Sequence, residues 1–464
     1  MERDVATLTR TAWTALGGDV RALDAVTFTG EGDLPSAFPV TDFGSAVMAT
    51  AALAVAELIA ACGDRLPSVA IDRRLASFWL KESVRAVGWK VPSVRDVAAG
   101  DYPTRDGWIR LHTNQPHHRA VALHVLGGPP DRAAVARAVA TWAKAELEAA
   151  VVAEGGCAAE MRTTAEWAAH PQGRAVAAEP LVHVMSHDAG APPALAGDRT
   201  RPLRGLRVLD LTRVLAGPIA TRFLAGYGAD VLRIDPPTWN EPPHLPDVTL
   251  GKRCARLDLR APADRATFEA LLRDAHVFVN GYRPGALDGL GYDAAARRRL
   301  APGLIDVCLD AYGWTGPWGT RRGFDSLVQM SAGIAAAGMR WRSAEKPVPL
   351  PAQALDHGTG YLVAAAVVRG VTRRVTNGGS LEARLSLART AKFLADAQGT
   401  PGTAPLAPET PADLSPDVEP TTWGPARRIA SPIAIVGAPM SWDYPAGELG
   451  TSAARWDEGA RGHR

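Results

Sequence analysis

The chain has 464 residues, of which 47% are hydrophobic and 22% charged, and its formal net charge is +2. This length allows two or three domains, each with a sizeable core. The nearly neutral balance gives no support to nucleic-acid binding, so we expect no nucleic-acid partner.

The cysteines and the N-terminal residues indicate the cellular compartment in which the protein is expected. The four cysteines show no C-x-x-C spacing, so we expect no metal site and no disulfide framework, and a reducing compartment fits. The first ten residues carry charges without an apolar segment, which is not the pattern of a signal peptide. The most apolar early run, residues 47–61, is about 15 residues long, which is short for a membrane span. We therefore expect a cytoplasmic protein with no membrane segment.

The first half of the chain predicts short elements separated by glycine and proline turns. They are a helix near residues 4–16, an Ala-rich helix ending at Ala61, a strand at 69–71, a helix through Trp79, a hairpin at 101–111, a helix after Pro116, a long amphipathic helix over 129–153, a further segment from Thr164 and a linker at 188–202.

A strand–helix–strand unit opens the second half. An apolar run at residues 208–211 predicts a buried strand, a turn follows at 216–218, and a helical segment ends at Gly226. A second strand at 230–234 completes a βαβ unit, whose two strands should be parallel neighbours. Asp235 ends that strand, where nucleotide-binding folds contact a ribose. There is no G-x-G-x-x-G motif, so the sequence does not indicate a nicotinamide or flavin site.

A series of short motifs continues from this unit. In order they are LAGP (215–218), GADVLRIDPP (228–237), GKR (251–253) leading into a strand at 255–259, VFVNGYRPGAL (277–287), YGWTGP (312–317), GFDSLVQ (323–329) and LDHGTG (355–360). Over about residues 203–395 this order resembles CoA-transferase family III, the group of formyl-CoA and carnitine CoA-transferases and α-methylacyl-CoA racemases. The resemblance implies an α/β protein with an open, mostly parallel, Rossmann-like sheet and a smaller α+β domain.

The two halves also resemble each other. Asp42 and Phe78 in the first half are spaced almost as Asp356 and Phe393 are in the second, around similar helix–strand–helix patterns. We interpret this as a partial duplication with permuted order. The expected divisions are a helical segment at 1–30, a partial copy with the small domain at 31–190, the large domain at 203–396, a linker at 397–425 and a C-terminal return segment at 426–464.

Asp356 is the candidate nucleophile. In the family that the chain resembles, a carboxylate attacks an acyl-CoA thioester, forms a mixed anhydride and then an aspartyl-CoA thioester, from which a carboxylic acid takes the CoA. A covalent carboxylate intermediate divides one difficult transfer into easier steps. The alternative for Asp356 is a simple helix cap. Asp42, which heads the repeated helix, is the alternative nucleophile.

The resemblance implies coenzyme A, bound as an acyl-CoA substrate, without a metal. Val214, Leu215 and Ala216, at the end of the first strand, would contact the nucleoside. Leu257 and Tyr282 would flank the adenine.

Four further residues are candidates by their chemistry. Lys252 and Arg253 could bind phosphate by charge, although charged residues are commonly on the surface. Gly358 and Gly360 would let a ligand approach the helix backbone. The partners would then be acyl-CoA and a carboxylic acid, and the family's interlocked dimers imply a possible homodimer.

Departures from the family pattern leave alternatives open. Phe324 stands where racemase members carry a histidine, and Phe cannot transfer protons, which favours a transferase over a racemase. Asp325 beside it is expected to be a turn residue. Gly281 and Gly289 replace family contacts, and a glycine-rich lid has no counterpart between residues 80 and 102. A CoA-binding protein without catalysis is therefore a further alternative.

Overall fold

The structure is a computed structural model that describes residues 4–92, 96–129, 131–188, 197–397 and 404–457. Its α-helices are α1 (Asp4–Ala15), α2 (Val40–Ala61), α3 (Arg73–Trp79), α4 (Pro116–Leu126), α5 (Arg132–Val139), α6 (Lys144–Ala153), α7 (Thr164–Ala169), α8 (Pro171–Ala178), α9 (Ala216–Gly226), α10 (Leu245–Val248), α11 (Pro262–Arg273), α12 (Ala294–Leu300), α13 (Asp325–Ser331), α14 (Ile334–Trp341), α15 (Ala354–Asn377) and α16 (Leu387–Ala395). Its strands are β1 (Val26–Thr29), β2 (Val69–Asp72), β3 (Val84–Ala86), β4 (Gly100–Thr104), β5 (Gly107–Leu111), β6 (Ala158–Glu160), β7 (His183–Asp188), β8 (Arg207–Leu211), β9 (Asp230–Asp235), β10 (Lys252–Arg256), β11 (Val277–Asn280), β12 (Ile305–Asp310), β13 (Gly379–Ser386), β14 (Glu419–Thr421), β15 (Gly424–Arg428) and β16 (Ile433–Ile435).

The largest sheet within these residues has seven strands in the order β10-β9-β8-β11-β12-β13-β7. The strands from β10 to β13 are parallel, and β7 joins the edge antiparallel to β13. All residues of β11 and β12 are buried, as expected for parallel strands that are covered on both faces. The predicted α/β fold with an open, mostly parallel sheet is confirmed.

The predicted βαβ unit is formed by β8, α9 and β9, with β8 and β9 as parallel neighbours. The expected turn at residues 216–218 is wrong, because α9 already begins at Ala216. The chain turns at residues 212–215 instead, where Val214 has a φ of 65°. Gly217 permits this tight turn, since a Cβ there would lie 2.3 Å from the Thr212 Cβ.

The two helix–strand–helix patterns are both present. The first comprises α2, β2 and α3, and the second α15, β13 and α16. In each, a pair of hydroxyls joins the long helix to the short one. Thr41 and Ser77 are linked at 2.9 Å, and Thr359 donates to Thr390 at 2.8 Å. The two units also pack together through α2 and α15.

Two glycines allow α15 to lie very close to its neighbours. A Cβ at Gly358 would lie 2.3 Å from Phe43 Cζ of α2, and a Cβ at Gly360 would lie 2.4 Å from the Ala216 carbonyl oxygen of α9. Such distances exclude any larger side chain without movement of the helices. Both glycines therefore serve helix packing here, where the sequence indicated contact with a ligand.

α2 is longer than the apolar run at residues 47–61 suggested, because it begins at Val40. By length and composition it could cross a membrane, with a mean hydropathy of 1.8 over its most apolar stretch. In this structure 89% of that stretch is buried inside the protein.

The helix expected over residues 129–153 is wrong in extent, since α5 and α6 are separate. The turn between β4 and β5 reaches into the break. Arg105 N donates to Trp142 O at 3.0 Å, and the Asp106 carboxylate accepts Lys144 N at 2.8 Å. Asp106 caps the start of α6 in this way, so a contact distant in sequence fixes where the second helix begins.

The two expected linkers, 188–202 and 397–425, lie partly outside the described residues. Within residues 404–425 the chain is anchored to the first half. Arg74 donates to the carbonyls of Ala407 and Pro408 and to the Asp413 carboxylate. β14 and β15 form a sheet with β3, and β16 pairs with β2. This part of the expected linker is therefore held against the first half by hydrogen bonds and strand pairing.

We expect Gly358→Ala to lower the free energy of unfolding by about 1–3 kcal/mol, because the added methyl group overpacks the contact with Phe43. Urea unfolding followed by circular dichroism measures this loss. Phe43→Leu in the same protein should recover part of it. A Gly358→Ala protein of unchanged stability would contradict the packing role.

Candidate active site

The carboxyl ends of the parallel strands meet at one edge of the large sheet, where open α/β sheets bind ligands. The order of strands reverses between β8 and β11: β9 follows on one side of β8, and β11 lies on the other. The loops that leave β8 and β11 therefore border a crevice. They carry Arg213 and Tyr282.

Arg213 is held between two aromatic rings. Its Cζ lies 4.1 Å from the centroid of Trp239 and 4.3 Å from that of Tyr282, and Nη2 donates to the Tyr282 hydroxyl at 2.8 Å. Cation–π contacts on both faces fix the guanidinium at the crevice. The sequence places the segment from Arg213 to Ala216 at the cleft and Tyr282 beside the adenine. The stacking of Arg213 is not predictable from it, because the stacking depends on Trp239, which is distant from the other two in the chain.

The other predicted nucleoside contacts are mostly enclosed. Leu215, Ala216 and Leu257 are 5%, 4% and 6% exposed, respectively. Val214 and Tyr282 are partly exposed. The structure thus brings Val214 and Tyr282 to the crevice and leaves little surface of the other three for a ligand.

Lys252 and Arg253 are used within the fold. The Lys252 side chain is fully buried, and Nζ donates to Asp210 Oδ2 at 3.1 Å and to Pro218 O at 2.9 Å. Burial lowers the pKa of Lys252. Arg253 binds both carboxylate oxygens of Asp230. β10 begins at Lys252, three residues earlier than expected, which turns that side chain into the interior. A direct phosphate contact by Lys252 is therefore contradicted.

Asp235 is likewise enclosed. Its carboxylate accepts Arg233 Nε at 2.8 Å, and Arg233 also donates to Glu241 at 2.6 Å. The other Glu241 oxygen accepts Val214 N at 2.8 Å. Burial raises the pKa of Asp235. The sequence predicted that Asp235 would contact a ribose, but its partner in the structure is Arg233. Through Glu241, the same network of hydrogen bonds holds the loop at Val214.

A cavity of about 680 Å³ opens at the carboxyl ends of β11 and β12. Its walls include Asn280 and Cys308 at the strand ends, together with parts of the loops that follow. Arg384 lies on this wall with its Cζ 5.2 Å from the centroid of Trp314. Arg283, also on the wall, is exposed, and its side chain makes no ion pair or hydrogen bond with any described residue. The cavity is therefore large enough for a sizeable ligand, and its wall offers the cation of Arg283 together with the carboxyl groups of Asp288 and Asp293.

Two side chains of the first half hold the loop at residues 312–319, which borders this cavity. Gln172 binds two backbone carbonyls and one backbone N–H of the loop at 2.7–2.9 Å. Glu179 accepts two backbone N–H groups and one hydroxyl of the loop at 2.6–2.9 Å. Both side chains are buried. Neither residue is predictable from the sequence, since nothing local distinguishes a buried Gln or Glu of this kind.

Asp356 lies in the first turn of α15 and is 6% exposed. Its carboxylate makes no hydrogen bond or ion pair with the described residues, and Gln353 occupies the cap position. The interpretation of Asp356 as a simple cap is therefore wrong. Asp325 Oδ2 instead accepts the backbone N–H groups of Leu355 and Asp356 at 2.9 and 3.1 Å. Asp325, expected as a turn residue, begins α13 and caps α15 from there.

The two carboxyl groups influence each other. Burial and the neighbouring Asp325 raise the pKa of Asp356 well above its ordinary value. Burial also raises the pKa of Asp325, although a hydrogen bond from Gln329 and the two backbone N–H groups act in the opposite direction. Two interacting carboxyl groups titrate as a pair. The last proton to leave is therefore shared between Asp325 and Asp356 and cannot be assigned to one of them. The arrangement provides one weakly acidic, desolvated carboxyl group at a helix start.

Asp42 has a different environment from Asp356, although both stand in the first turn of a repeated helix. The Asp42 carboxylate accepts Arg73 Nε at 2.8 Å, and Arg73 also binds Asp33 at 2.9 Å. A carboxylate engaged by a guanidinium is a weaker nucleophile than a free one. The geometry therefore favours Asp356.

His112 and His118 lie against Phe324, the residue before Asp325. The His112 ring is stacked on Phe324 with centroids 3.8 Å apart, and His118 meets it edge-on at 5.9 Å. Burial lowers the pKa of His112 to about 3 and that of His118 to about 4, so both are neutral at pH 7. Throughout the described ranges, no group of three or more His, Cys, Asp or Glu side chains could hold a metal ion.

Comparisons with known proteins find a family match over part of the chain. Residues 203–412 match the family model described as CoA-transferase family III. Acetyl-coenzyme A transferase nodX of Hypoxylon pulicicidum is 36% identical over 205 residues, which are 43% of this chain and 35% of that protein. Succinyl-CoA:glutarate CoA-transferase of Mus musculus is 32% identical over 201 residues, 40% of this chain and 45% of that protein.

Among solved structures, the orthorhombic crystal structure of Rv3272 from M. tuberculosis matches with a TM-score of 0.40 and 31% identity, covering 42% of this chain and 56% of that chain. In each of these comparisons the chain spans less than two thirds of the relative's length.

We expect Asp356→Asn to raise the melting temperature at pH 8 by ~2 °C and to leave it nearly unchanged at pH 4. The pKa of this carboxyl is higher in the folded protein than in the unfolded chain. The protein therefore loses stability as the pH rises from the pKa of the unfolded chain to that of the folded protein. The amide avoids ionisation and breaks no hydrogen bond. Scanning calorimetry at both pH values measures the shifts. Asp42→Asn is the control and should lower the melting temperature at pH 8, and an equal shift at both pH values in Asp356→Asn would contradict the assignment.

Gln172→Ala should speed amide hydrogen exchange in residues 312–319 by at least about tenfold, because each lost hydrogen bond is worth about 1 kcal/mol. Hydrogen exchange read by mass spectrometry measures this. Arg174→Ala, on the exposed face of the same helix, is the matched control and should change nothing. Unaltered exchange in the Gln172 variant would show that the loop is held by other contacts.

Proposed function

We propose, from the premise that residues 203–412 belong to CoA-transferase family III, that the chain moves CoA from an acyl-CoA thioester to a carboxylic acid. The observation that carries this proposal is the burial of the Asp356 carboxyl without a bonding partner among the described residues. Asp325 fixes the backbone of this residue. A group in this state is available to react.

In the first half of the reaction, Asp356 attacks the thioester carbonyl of the donor. The carbon–sulfur bond breaks, CoA leaves as the thiolate, and an acyl–aspartyl anhydride forms. The thiolate then attacks the aspartyl carbonyl, the acyl group leaves as a carboxylate, and an aspartyl-CoA thioester remains. Each step exchanges one acyl bond for another, so the acyl activation is preserved without an energy source.

In the second half, the acceptor carboxylate attacks the aspartyl-CoA thioester and releases the thiolate. The thiolate then attacks the acceptor carbonyl of the new anhydride, which yields acceptor-CoA and restores Asp356. The raised pKa suits this role, because a carboxylate that is costly to ionise is more nucleophilic once ionised. It also means that the rate should increase with pH as the pair loses its proton.

The crevice and the cavity support CoA as the ligand. Arg213 and Tyr282 present a stacked cation and ring at the strand reversal, and the cavity of about 680 Å³ adjoins them through Tyr282. Arg283, on the cavity wall, offers a cation that no described residue engages. A nucleotide with several phosphates would find an aromatic surface and positive charge together here.

The racemase alternative requires a proton acceptor beside the substrate. Phe324 cannot act as one, and the histidines that contact it have pKa values lowered by burial, His112 to about 3. A base with so low a pKa removes a carbon-bound proton poorly at neutral pH. The site therefore supports transfer over racemisation.

We expect mass spectrometry after incubation with acetyl-CoA or succinyl-CoA to find a covalent adduct on the peptide that contains Asp356. Hydroxylamine should remove it, since both the anhydride and the thioester are reactive acyl groups. In Asp356→Asn the adduct and the transfer of CoA should fall by at least about a thousandfold, as expected when a nucleophile is removed.

Asp42→Asn is the matched control and should keep the adduct. Loss of the adduct in Asp42→Asn but not in Asp356→Asn would move the nucleophile to the first half. Binding of CoA by calorimetry without an adduct from any donor would favour a CoA-binding protein without catalysis. Rapid uptake of deuterium from deuterated water into a 2-methylacyl-CoA would favour the racemase.

A further inference from the structure

The two faces of β5 have different surroundings. Ile109 and Leu111 point into the core of the first-half domain, where both are fully buried. Because successive side chains of a strand alternate, Trp108 and Arg110 point the other way, and His112 continues that face beyond the strand. Trp108 packs in the apolar cluster that also contains Phe324. This face of β5 is therefore directed at α13.

The stacking of His112 on Phe324 fixes how β5 meets the candidate nucleophile. The two rings are 3.8 Å apart and inclined by 12°. The next residue, Asp325, caps the helix that carries Asp356. Arg110 lies two residues before His112 on the same face, near enough to Asp325 for its charge to act on that carboxyl.

Arg110 has unused hydrogen-bonding capacity. Its Nη1 donates to Asp101 at 2.7 Å, and its Nε is buried without a hydrogen-bond partner among the described residues. No bond from Nη2 to any described residue is present either. The side chain as a whole is 28% exposed, and Nη2, unlike Nε, is not buried, so a small molecule can reach this edge of the guanidinium at Nη2. The Nε–Nη2 edge of a guanidinium matches the two oxygens of a carboxylate.

The charges around Arg110 also favour the binding of a carboxylate there. Arg110 faces Asp101 on its own sheet and acts on Asp325 across the interface, where its charge lowers the pKa of that carboxyl. An incoming acid would be a further carboxylate near Asp325 and Asp356. Like charges at such short range repel strongly unless a cation lies among them.

We propose that Arg110 binds a carboxylate of the acid that accepts CoA, through its Nε–Nη2 edge, beside Asp356. This inference rests on the proposed transferase function and deepens it. The carboxylate has two possible sources. It is the reacting group of a monocarboxylic acid or the distant carboxylate of a dicarboxylic acid.

Steady-state kinetics of Arg110→Gln test the proposal, with acetyl-CoA, whose acyl group has no second carboxylate, as donor and propionate, succinate or glutarate as acceptor. We expect the KM for the acid to rise about 10- to 100-fold, the range for loss of a charged hydrogen-bonded pair. The rate of adduct formation from the donor alone should stay within about twofold, because that step involves no free acid. A rise confined to the dicarboxylic acids identifies the distant carboxylate as the bound group, and a rise for all acids identifies the reacting one.

Arg110→Lys should recover part of the affinity, since it keeps the charge and loses the forked geometry. Arg105→Gln, an exposed residue of the same hairpin, is the matched control and should leave the KM for the acid unchanged. If circular dichroism shows that Arg110→Gln does not fold, Arg110→Lys is tested in its place. We then expect the KM for the acid to rise about threefold or more.

An unchanged KM for every acid, with the adduct intact, overturns the role of Arg110 and leaves the proposed function standing. Loss of the adduct in a folded Arg110→Gln also overturns it, because Arg110 would then serve the nucleophile. Absence of an adduct in the wild-type protein overturns the proposed function itself.

Discussion

The close packing of α15 is the constraint on which the site depends. Gly358 lets this helix touch Phe43 of α2, and Gly360 lets it touch the backbone of α9 at Ala216. Any side chain at these positions would push the helices apart. Asp356 lies in the same stretch of helix, so its carboxyl is placed by contacts that involve no ligand. Asp325 then completes the arrangement by capping the helix start.

Ion pairs inside the large sheet decide which charges remain for a ligand. Lys252 is committed to Asp210, and Arg233 to Asp235, with all four side chains fully buried. A buried charge is tolerated when its partner and hydrogen bonds compensate for lost hydration, and removing one partner would leave the other isolated. The stacked Arg213 at the carboxyl edge approaches these pairs less closely, with its Nε 3.9 Å from Asp235 Oδ1.

The candidate site draws on both halves of the chain. The second half supplies Asp356 and the cavity, whereas Gln172 and Glu179 of the first half hold the loop beside that cavity. His112, also from the first half, stacks against the residue before Asp325. The site therefore depends on the interface between the halves, and its chemistry is inseparable from their packing.

The sequence by itself determined the elements whose signals are local. The strand, helix and strand from β8 to β9, the hairpin and the repeated long helices follow from hydrophobic period and from glycine turns. Tertiary structure decided what the charged residues do. Asp42 and Asp356 look alike in sequence, and only the presence of Arg73 beside the first separates them. Asp106 likewise caps the start of α6 from a distant turn, within the helical run expected over residues 129–153. The physical reason is that periodicity is encoded by neighbours in the chain, whereas the partner of a buried charge or cap comes from far along it.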